Sequence, residues 1–434
     1  SSPSEENTDR VLLVRNRKSR ILFSGRMYDY PLKLNSRTIT NIGLRKLVIV
    51  SLSYLYSKLN YKNPKNLEEF IISRFGRSLY SMFFESYTEK VWGRHPRDIS
   101  AEWGVQRIKG LSIRKLLLDN ISKIIDSFFP KSNNNLSQKN KETSLIEKFL
   151  YPKLGPGQMW EEVARDLESN GAFIHLQSEI INLNFNTNNT KRVDSITIKN
   201  SKGEIASKAY DFVISTMPIK ELVLNSKDSK GDNPFNKDMI DIAEGLPYRD
   251  FITVGLLLDS LTGPQGEILD DTWIYIQEPN VKVGRIQIFN NWSPHLVEDP
   301  NKYWIGLEYF CNESDDLWEL TDSQLIDLAR EEIETLNLSS KSEIIDATVL
   351  REKKTYPAYF DSYDDFGKLI EHFNTIDNLI LIGRNGMHKY NNQDHSMLSG
   401  FRAAELVAVN DISPVTKAEL WLINAEQEYH EEKG

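Results

Sequence analysis

The chain has 434 residues, 40% of them hydrophobic and 26% charged, enough to bury a sizeable core in two interleaved domains rather than one. A formal net charge of −9 argues against a general nucleic-acid binder, because neutralising phosphates takes a basic surface. The single cysteine, Cys311, excludes an internal disulfide and a cysteine-cluster metal site and fits a reducing cytoplasm; it reads as a packed or idle thiol.

The chain opens Ser1-Ser2-Pro3-Ser4-Glu5-Glu6-Asn7, a polar lead without methionine that reads as a fragment or a processed form. Arg10–Arg15 and Arg20–Phe23 alternate like two strands of a hairpin, with Asn16–Ser19 as its turn, and Tyr28–Leu34 follows as a third extended piece. The basic run from Arg15 to Arg20 is either a solvated strand edge or a receiver of a small anion.

From Thr38 the spacing turns helical, with helices expected over Leu67–Phe75, Leu79–Val91 and Leu116–Phe129, punctuated by Gly76, Trp92-Gly93 and Pro96. The most apolar stretch here, Leu44–Leu59, is interrupted by Arg45, Lys46 and Lys58 and falls short of the roughly 18 apolar residues a spanning helix needs. Integral membrane association is therefore not expected, whereas peripheral contact through this stretch stays open. Pro130–Thr143, rich in Asn, Ser and Lys, reads as an exposed loop.

A glycine-punctuated turn, Tyr151 to Trp160, leads into a helix that runs through Glu168 and stops at Asn170-Gly171, with a strand expected from Ala172. Strands Arg192–Lys199 and Ala209–Ile214 flank the turn Asn200-Ser201-Lys202-Gly203. Further strands are Phe251–Leu258, Trp273–Gln277, Gly284–Phe289, Tyr303–Phe310 and Glu343–Tyr356. Among them sits a helix, Ser323–Leu336, opened by Thr321-Asp322. This is the pattern of a mostly antiparallel α+β domain.

The last unit is a short buried strand, Asn378–Gly383, a Gly/Asn-rich loop, and a helix from about Asp394 to Val409. Strand, glycine-rich loop and helix N-terminus in that order can receive an anion. Gly383 and Gly386 let the backbone approach a ligand, and Arg384 offers a forked donor. Read alone, the same letters also describe an ordinary capped turn.

The segment from Gly383 to Met397 resembles the C-terminal flavin-binding segment of the amine oxidase and protoporphyrinogen oxidase-like flavoproteins, and most of all that of UDP-galactopyranose mutase-like proteins. Two weaker likenesses, Pro152 to Trp160 and Asp211 to Pro218, precede it in the same order, and Glu89–Gly93 with Trp103–Ile108 resembles a helical substrate-side region of the same proteins. The resemblance implies an α/β fold in which an FAD-binding Rossmann-like domain is interleaved with an α+β substrate domain of mostly antiparallel sheet plus a helical subdomain. It assigns residues 1–37 to a sheet hairpin of the substrate domain and 38–150 to the helical subdomain. Residues 151–215 and 376–410 become middle and C-terminal parts of the FAD-binding domain, 216–375 the substrate-domain sheet, and 411–434 a tail. These flavoproteins open with a strand, a G-x-G-x-x-G turn and a helix; no such motif stands near the start of this sequence, so the FAD-binding domain is expected to be incomplete here, through truncation or through loss of the cofactor.

By the same resemblance Gly383, Arg384, Gln393, Asp394 and Met397 line FAD, and the strand carrying Ile180 passes its adenine. Substrate-side candidates are Trp92, Trp160, Arg285, Tyr356, Tyr359, His388 and Tyr390, each with a plain packing role as its alternative. No nucleophile elbow and no zinc-ligand spacing occurs, so neither triad hydrolysis nor metal catalysis is expected. The implied reaction is hydride transfer from a small substrate to flavin. Isomerisation of a nucleotide sugar without net redox, or a non-catalytic fragment, are the other readings.

Overall fold

The computed structural model describes residues 4–32, 36–101, 148–186 and 189–424, and the chain forms two compact units. Leu116–Phe129, the Pro130–Thr143 loop and Trp103–Ile108 lie outside the described residues.

The first unit, residues 4–32, 36–101, 148–163 and 249–353, is built on a seven-stranded sheet. Its strands are β2 (Ser19–Phe23), β3 (Arg26–Asp29), β10 (Tyr248–Leu258), β11 (Trp273–Ile276), β12 (Arg285–Ile288), β13 (Tyr303–Cys311) and β14 (Ile344–Pro357), in the order β14-β10-β13-β12-β11-β2-β3. β10 with β13, β13 with β12, β12 with β11 and β2 with β3 pair antiparallel, and β11 with β2 pairs parallel. Alternation puts Ile252, Val254, Leu256, Ile274, Ile276, Ile286, Ile288 and Leu307 on one face, where Leu325, Ala329 and Ile333 of helix α9 (Asp322–Thr335) join the same core. That helix opens at Thr321 as the sequence predicts, and its start is closed by a capping box between Thr321 and Gln324.

The N-terminal hairpin differs from expectation. β1 (Leu12–Asn16) pairs with β4 (Lys148–Pro152), and the hairpin is instead β2–β3. A two-residue turn of this kind needs positive φ at both central positions, and Ser24 (φ 51°) and Gly25 (φ 64°) supply it. Within the basic run, Arg15 donates to the Asn291 carbonyl, Arg17 lies 5.1 Å from the Trp273 ring centroid, part-exposed Lys18 pairs with Asp270, and buried Arg20 pairs with Asp271 at 2.5 Å.

Helices α1 (Ser36–Ile42), α2 (Leu44–Asn60) and α3 (Leu67–Phe75) are followed by α4 (Arg77–Phe83) and α5 (Glu85–Trp92). The single helix expected over Leu79–Val91 is thus two, broken at Phe84 (φ −129°), whose ring stacks on Phe75 at 5.0 Å. Gly93, in the left-handed region, ends α5.

The second unit comprises residues 164–186, 189–248 and 354–424. Helix α6 (Pro156–Ser169) ends before Gly171 (φ 90°) as predicted, but no strand starts at Ala172: residues 171–177 are exposed, and β5 begins at Glu179. β5 (Glu179–Asn186), β6 (Asn189–Lys199), β7 (Ile205–Lys208) and β9 (Ser226–Asp228) form a sheet in the order β7-β6-β5-β9. The strand expected over Ala209–Ile214 is replaced by β7 and by β8 (Val213–Ser215), which leaves that sheet to run parallel to β15 (Leu379–Leu381). Helices α7 (Ile219–Leu224), α8 (Lys237–Glu244) and α10 (Phe366–Asn374) contribute Leu222, Ala243, Leu369 and Phe373 to a shared core. The chain goes on through a short helix α11 (Gly383–Gly386), then α12 (Gln393–Ala408) and α13 (Pro414–Leu420). The molecule is thus mixed helix and sheet, and its sheets are mostly antiparallel.

Candidate cofactor site

The site is assembled where two parallel strands end side by side. β15 and β8 pair Leu379 with Val213 and Leu381 with Ser215, so both chains leave the pair at the same edge. Leu379, Ile380 and Leu381 are buried, which fixes where Gly383 begins. Gly383 takes φ +76°, a conformation that glycine adopts without strain, and turns the chain into α11. One turn later Gly386 meets the exit of β8: a Cβ there would stand 2.5 Å from the Ser215 carbonyl oxygen and 3.1 Å from the Thr216 Cα. Two of the family-like segments, 211–218 and 383–397, therefore meet in space.

Side chains lock this turn. Gly383 donates its N–H to the Ser399 hydroxyl at 3.0 Å, and its carbonyl accepts from the Asn391 amide at 3.1 Å. Arg384 donates from Nε to the Asn391 carbonyl (2.8 Å) and from Nη1 to the Thr355 carbonyl (2.9 Å). Its guanidinium carbon lies 4.9 Å from the Tyr390 ring centroid and 5.4 Å from that of Tyr356, and the two rings stack on each other at 5.2 Å. Two of the three guanidinium nitrogens of Arg384 hold protein carbonyls, and Nη2 makes no hydrogen bond to a described residue.

His388 is fully buried, in the left-handed region (φ 44°), with its Nε2 3.0 Å from the Ala358 carbonyl. A carbonyl only accepts, so Nε2 carries the proton and Nδ1 is the bare nitrogen; Nδ1 has no partner among the described residues. Tyr248 stands edge-on at 4.7 Å, and Tyr363 and Phe366 lie at 5.8 and 5.6 Å. Burial lowers the His388 pKa to about 4, so the ring is neutral at pH 7. Tyr359 accepts the Tyr390 backbone N–H at 2.5 Å and stacks on Tyr363 at 4.6 Å.

Helix α12 opens from Asn392, whose N–H reaches the His395 Nδ1 at 3.4 Å. Gln393 is exposed on its first turn, while Asp394 and Met397 are half-buried; Asp394 lies 3.2 Å from the His395 ring. The first-turn amides of a helix favour an anion.

Of the residues singled out in the sequence, Gly383, Arg384, Tyr356, Tyr359, His388 and Tyr390 form one cluster, with Gln393, Asp394 and Met397 on the helix that follows. Ile180 sits half-buried in β5, against the second unit's core. The remaining three belong to the first unit. There Trp92 is buried at the end of α5, Trp160 is 43% exposed on α6, and Arg285 pairs with Glu308 and lies 5.7 Å from the Trp273 ring centroid. Sequence reasoning missed Asn385, whose Oδ1 is buried without a hydrogen bond from any described residue, and the locking pair Asn391 and Ser399. A polar residue directly after Arg384 was the available signal.

No family model matches the chain. Among solved structures, reduced UDP-galactopyranose mutase aligns with a TM-score of 0.73 and 21% identity, over 96% of this chain and 82% of that one. A candidate protoporphyrinogen oxidase from an Exiguobacterium species aligns with a TM-score of 0.59 and 14% identity over the same shares, 96% and 82%. An oxidoreductase from Methanosarcina mazei gives 0.50 and 11% identity over 87% and 77%. At these identities the likeness is one of architecture: this chain has the fold of UDP-galactopyranose mutase and of the protoporphyrinogen oxidase-like proteins.

Proposed function

We propose that this protein is an FAD-dependent enzyme acting on a small molecule, an oxidoreductase that moves hydride from substrate to flavin. One observation carries the reading: the turn from Gly383 through Gly386 is pressed against the end of β8 and locked by Ser399 and Asn391, and the next helix starts at Gln393. The residues fit the group on two further counts. Asn385 Oδ1 is a buried acceptor with no donor among the described residues, and the Arg384 guanidinium is a cationic donor held in place by two carbonyls.

In this reading Gly383, Arg384, Gln393, Asp394 and Met397 hold the cofactor, and Ile180 borders its adenine. When bound, the flavin ring supplies the hydride acceptor, and the protein supplies position, charge and exclusion of water. Arg384 holds a positive charge that cannot swing, because two carbonyls and two aromatic rings fix it. His388, neutral and enclosed, positions the Ala358 segment and takes no proton near pH 7. Tyr356, Tyr359 and Tyr390 are the substrate-side groups that the second unit offers beside Arg384.

A second reading, isomerisation of a nucleotide sugar without net redox, is favoured by the alignment to a mutase over nearly the whole chain. One experiment tests both. Protein expressed from its native reading frame is expected to be yellow, with flavin absorbance bands. Turnover that consumes oxygen or another acceptor supports the oxidoreductase; turnover that needs prior reduction and consumes no acceptor selects the mutase. A colourless, folded product refutes both and leaves a non-catalytic protein.

A further inference from the structure

Helix α2 packs with one face and leaves the other bare. At about 100° per residue, Leu47, Val50, Ser53, Tyr54 and Ser57 fall on one arc. That arc is the packed one: the Ser78 N–H donates to the Ser53 hydroxyl at 3.1 Å, a Cβ on Gly76 would come within 2.9 Å of the Tyr54 Cα, and Ser57 is buried. On the opposite arc stand Leu44, Val48, Ile49, Leu52, Leu55 and Leu59, each between 58% and 75% exposed. A surface helix ordinarily turns its apolar stripe to the core and its polar side to water. Here the apolar stripe faces out, and a contiguous patch of this kind marks a docking surface.

Charge identifies the occupant. Between Asp29 and Glu68 the sequence holds seven lysines and arginines and not one carboxylate, in a chain whose net charge is −9. Arg45 and Lys46 at one end of α2 and Lys58 at the other are exposed, as are Lys62 and Lys65 just beyond it. A second copy of the chain laid on this stripe would set cation against cation with no acid to meet them, which works against self-association. An anionic bilayer meets both features, taking the leucines into the acyl boundary and the lysines and arginines at its headgroups. No helix among the described residues is long and apolar enough to cross a membrane, so the contact is one of lying in the interface.

We infer that α2 is an interfacial anchor that docks this protein on an anionic phospholipid surface. The inference does not depend on flavin binding. It is tested by co-sedimentation of the whole protein with vesicles of phosphatidylcholine, with and without phosphatidylglycerol, across a salt series. The protein is expected to partition at least about tenfold more onto the anionic vesicles, less as salt rises. Leu52→Ser with Leu55→Ser, and separately Lys46→Glu with Lys58→Glu, should each lower that partition about tenfold while leaving the thermal melt unchanged, since all four side chains are exposed. Absence of vesicle binding, equal binding by the wild type and a folded variant, or a concentration-dependent dimer abolished by the leucine pair would each overturn the proposal. Should the leucine pair fail to fold, the charge-reversal pair decides.

Discussion

Gly386 approaches Ser215 so closely that a single added methyl would stand 2.5 Å from the Ser215 carbonyl oxygen. That oxygen and the Thr216 Cα at 3.1 Å are backbone atoms at the end of β8 and just past it, so neither can swing aside as a side chain would. Gly386→Ala must therefore push α11 away from the strand, at a cost of about 1–3 kcal/mol for overpacking. The expected outcome is a lower urea midpoint and a reduced flavin content. A variant with unchanged stability and flavin content would show that the close approach does not set the site.

Arg384 holds two loop carbonyls and lies over both Tyr390 and Tyr356. Lysine keeps the charge but not the planar fork, so it cannot serve Asn391 and Thr355 together while stacking on the rings. Arg384→Lys is expected to cost about 2 kcal/mol and to shift or abolish the flavin bands. Arg384→Met should do at least as much, and equal behaviour of lysine and arginine here would refute the role given to the fork.

The buried His388 makes the second unit acid-sensitive. Its folded pKa of about 4 lies below the ordinary 6.5 because burial penalises the imidazolium. Between those values the unfolded chain binds a proton that the folded one does not, so stability falls as pH drops from about 6.5 to about 4. The loss attributable to this ring is about 3 kcal/mol. His388→Asn, which tolerates the left-handed backbone, should flatten that part of the pH–stability curve whatever it does to absolute stability. Parallel curves for the two proteins would mean that the ring does not titrate as described.

The parts of the fold legible in the sequence are those decided locally. Helix α3 was readable to its ends because Asn66 caps it, accepting from the Glu69 N–H, and Gly76 closes it. Helix α9 is legible in the same way through Thr321, its N-cap, followed by Asp322 in the first turn. The break at Phe84 could not be read, since stacking on Phe75 rather than local propensity places it. The polar run Asn16–Ser19 has the composition of a turn, but the hairpin turns at Ser24-Gly25, where the backbone takes positive φ at both positions. At the site, the Gly383-Arg384 pair was visible, whereas its contacts with Thr355 and with the end of β8 join segments far apart in the chain and leave no periodic trace.

That hairpin gives a test of the correction. Ser24 holds φ 51° without the side-chain amide that makes asparagine the favoured residue at such a position. Ser24→Asn should raise stability by about 0.5 kcal/mol, whereas Gly25→Ala should lower it by about 1 kcal/mol. Insensitivity of both positions, seen as unchanged urea midpoints, would argue against a tight turn there.

Lys90 supplies the last test, within the first unit. Its ammonium donates to the carbonyls of Glu278 (2.7 Å), Val283 (3.1 Å) and Ile276 (3.3 Å), one for each proton, while burial lowers its pKa from 10.5 to about 8 against the opposing pull of Glu332 and Glu278. The depressed value means that the unfolded chain holds this proton between pH 8 and 10.5 and the folded chain does not. Stability should therefore rise with pH across that window, by about 3 kcal/mol for this group. Lys90→Met removes the cost of burying a charge and also strands three carbonyls, each worth about 1–3 kcal/mol when left without a donor. The second effect outweighs the first at pH 7, so the variant should be less stable there. Because methionine cannot titrate, the gap between wild type and variant must widen from pH 8 to pH 10.5. A gap that stays constant would show that the amine keeps its proton throughout, and that the three carbonyls hold it more firmly than burial expels it.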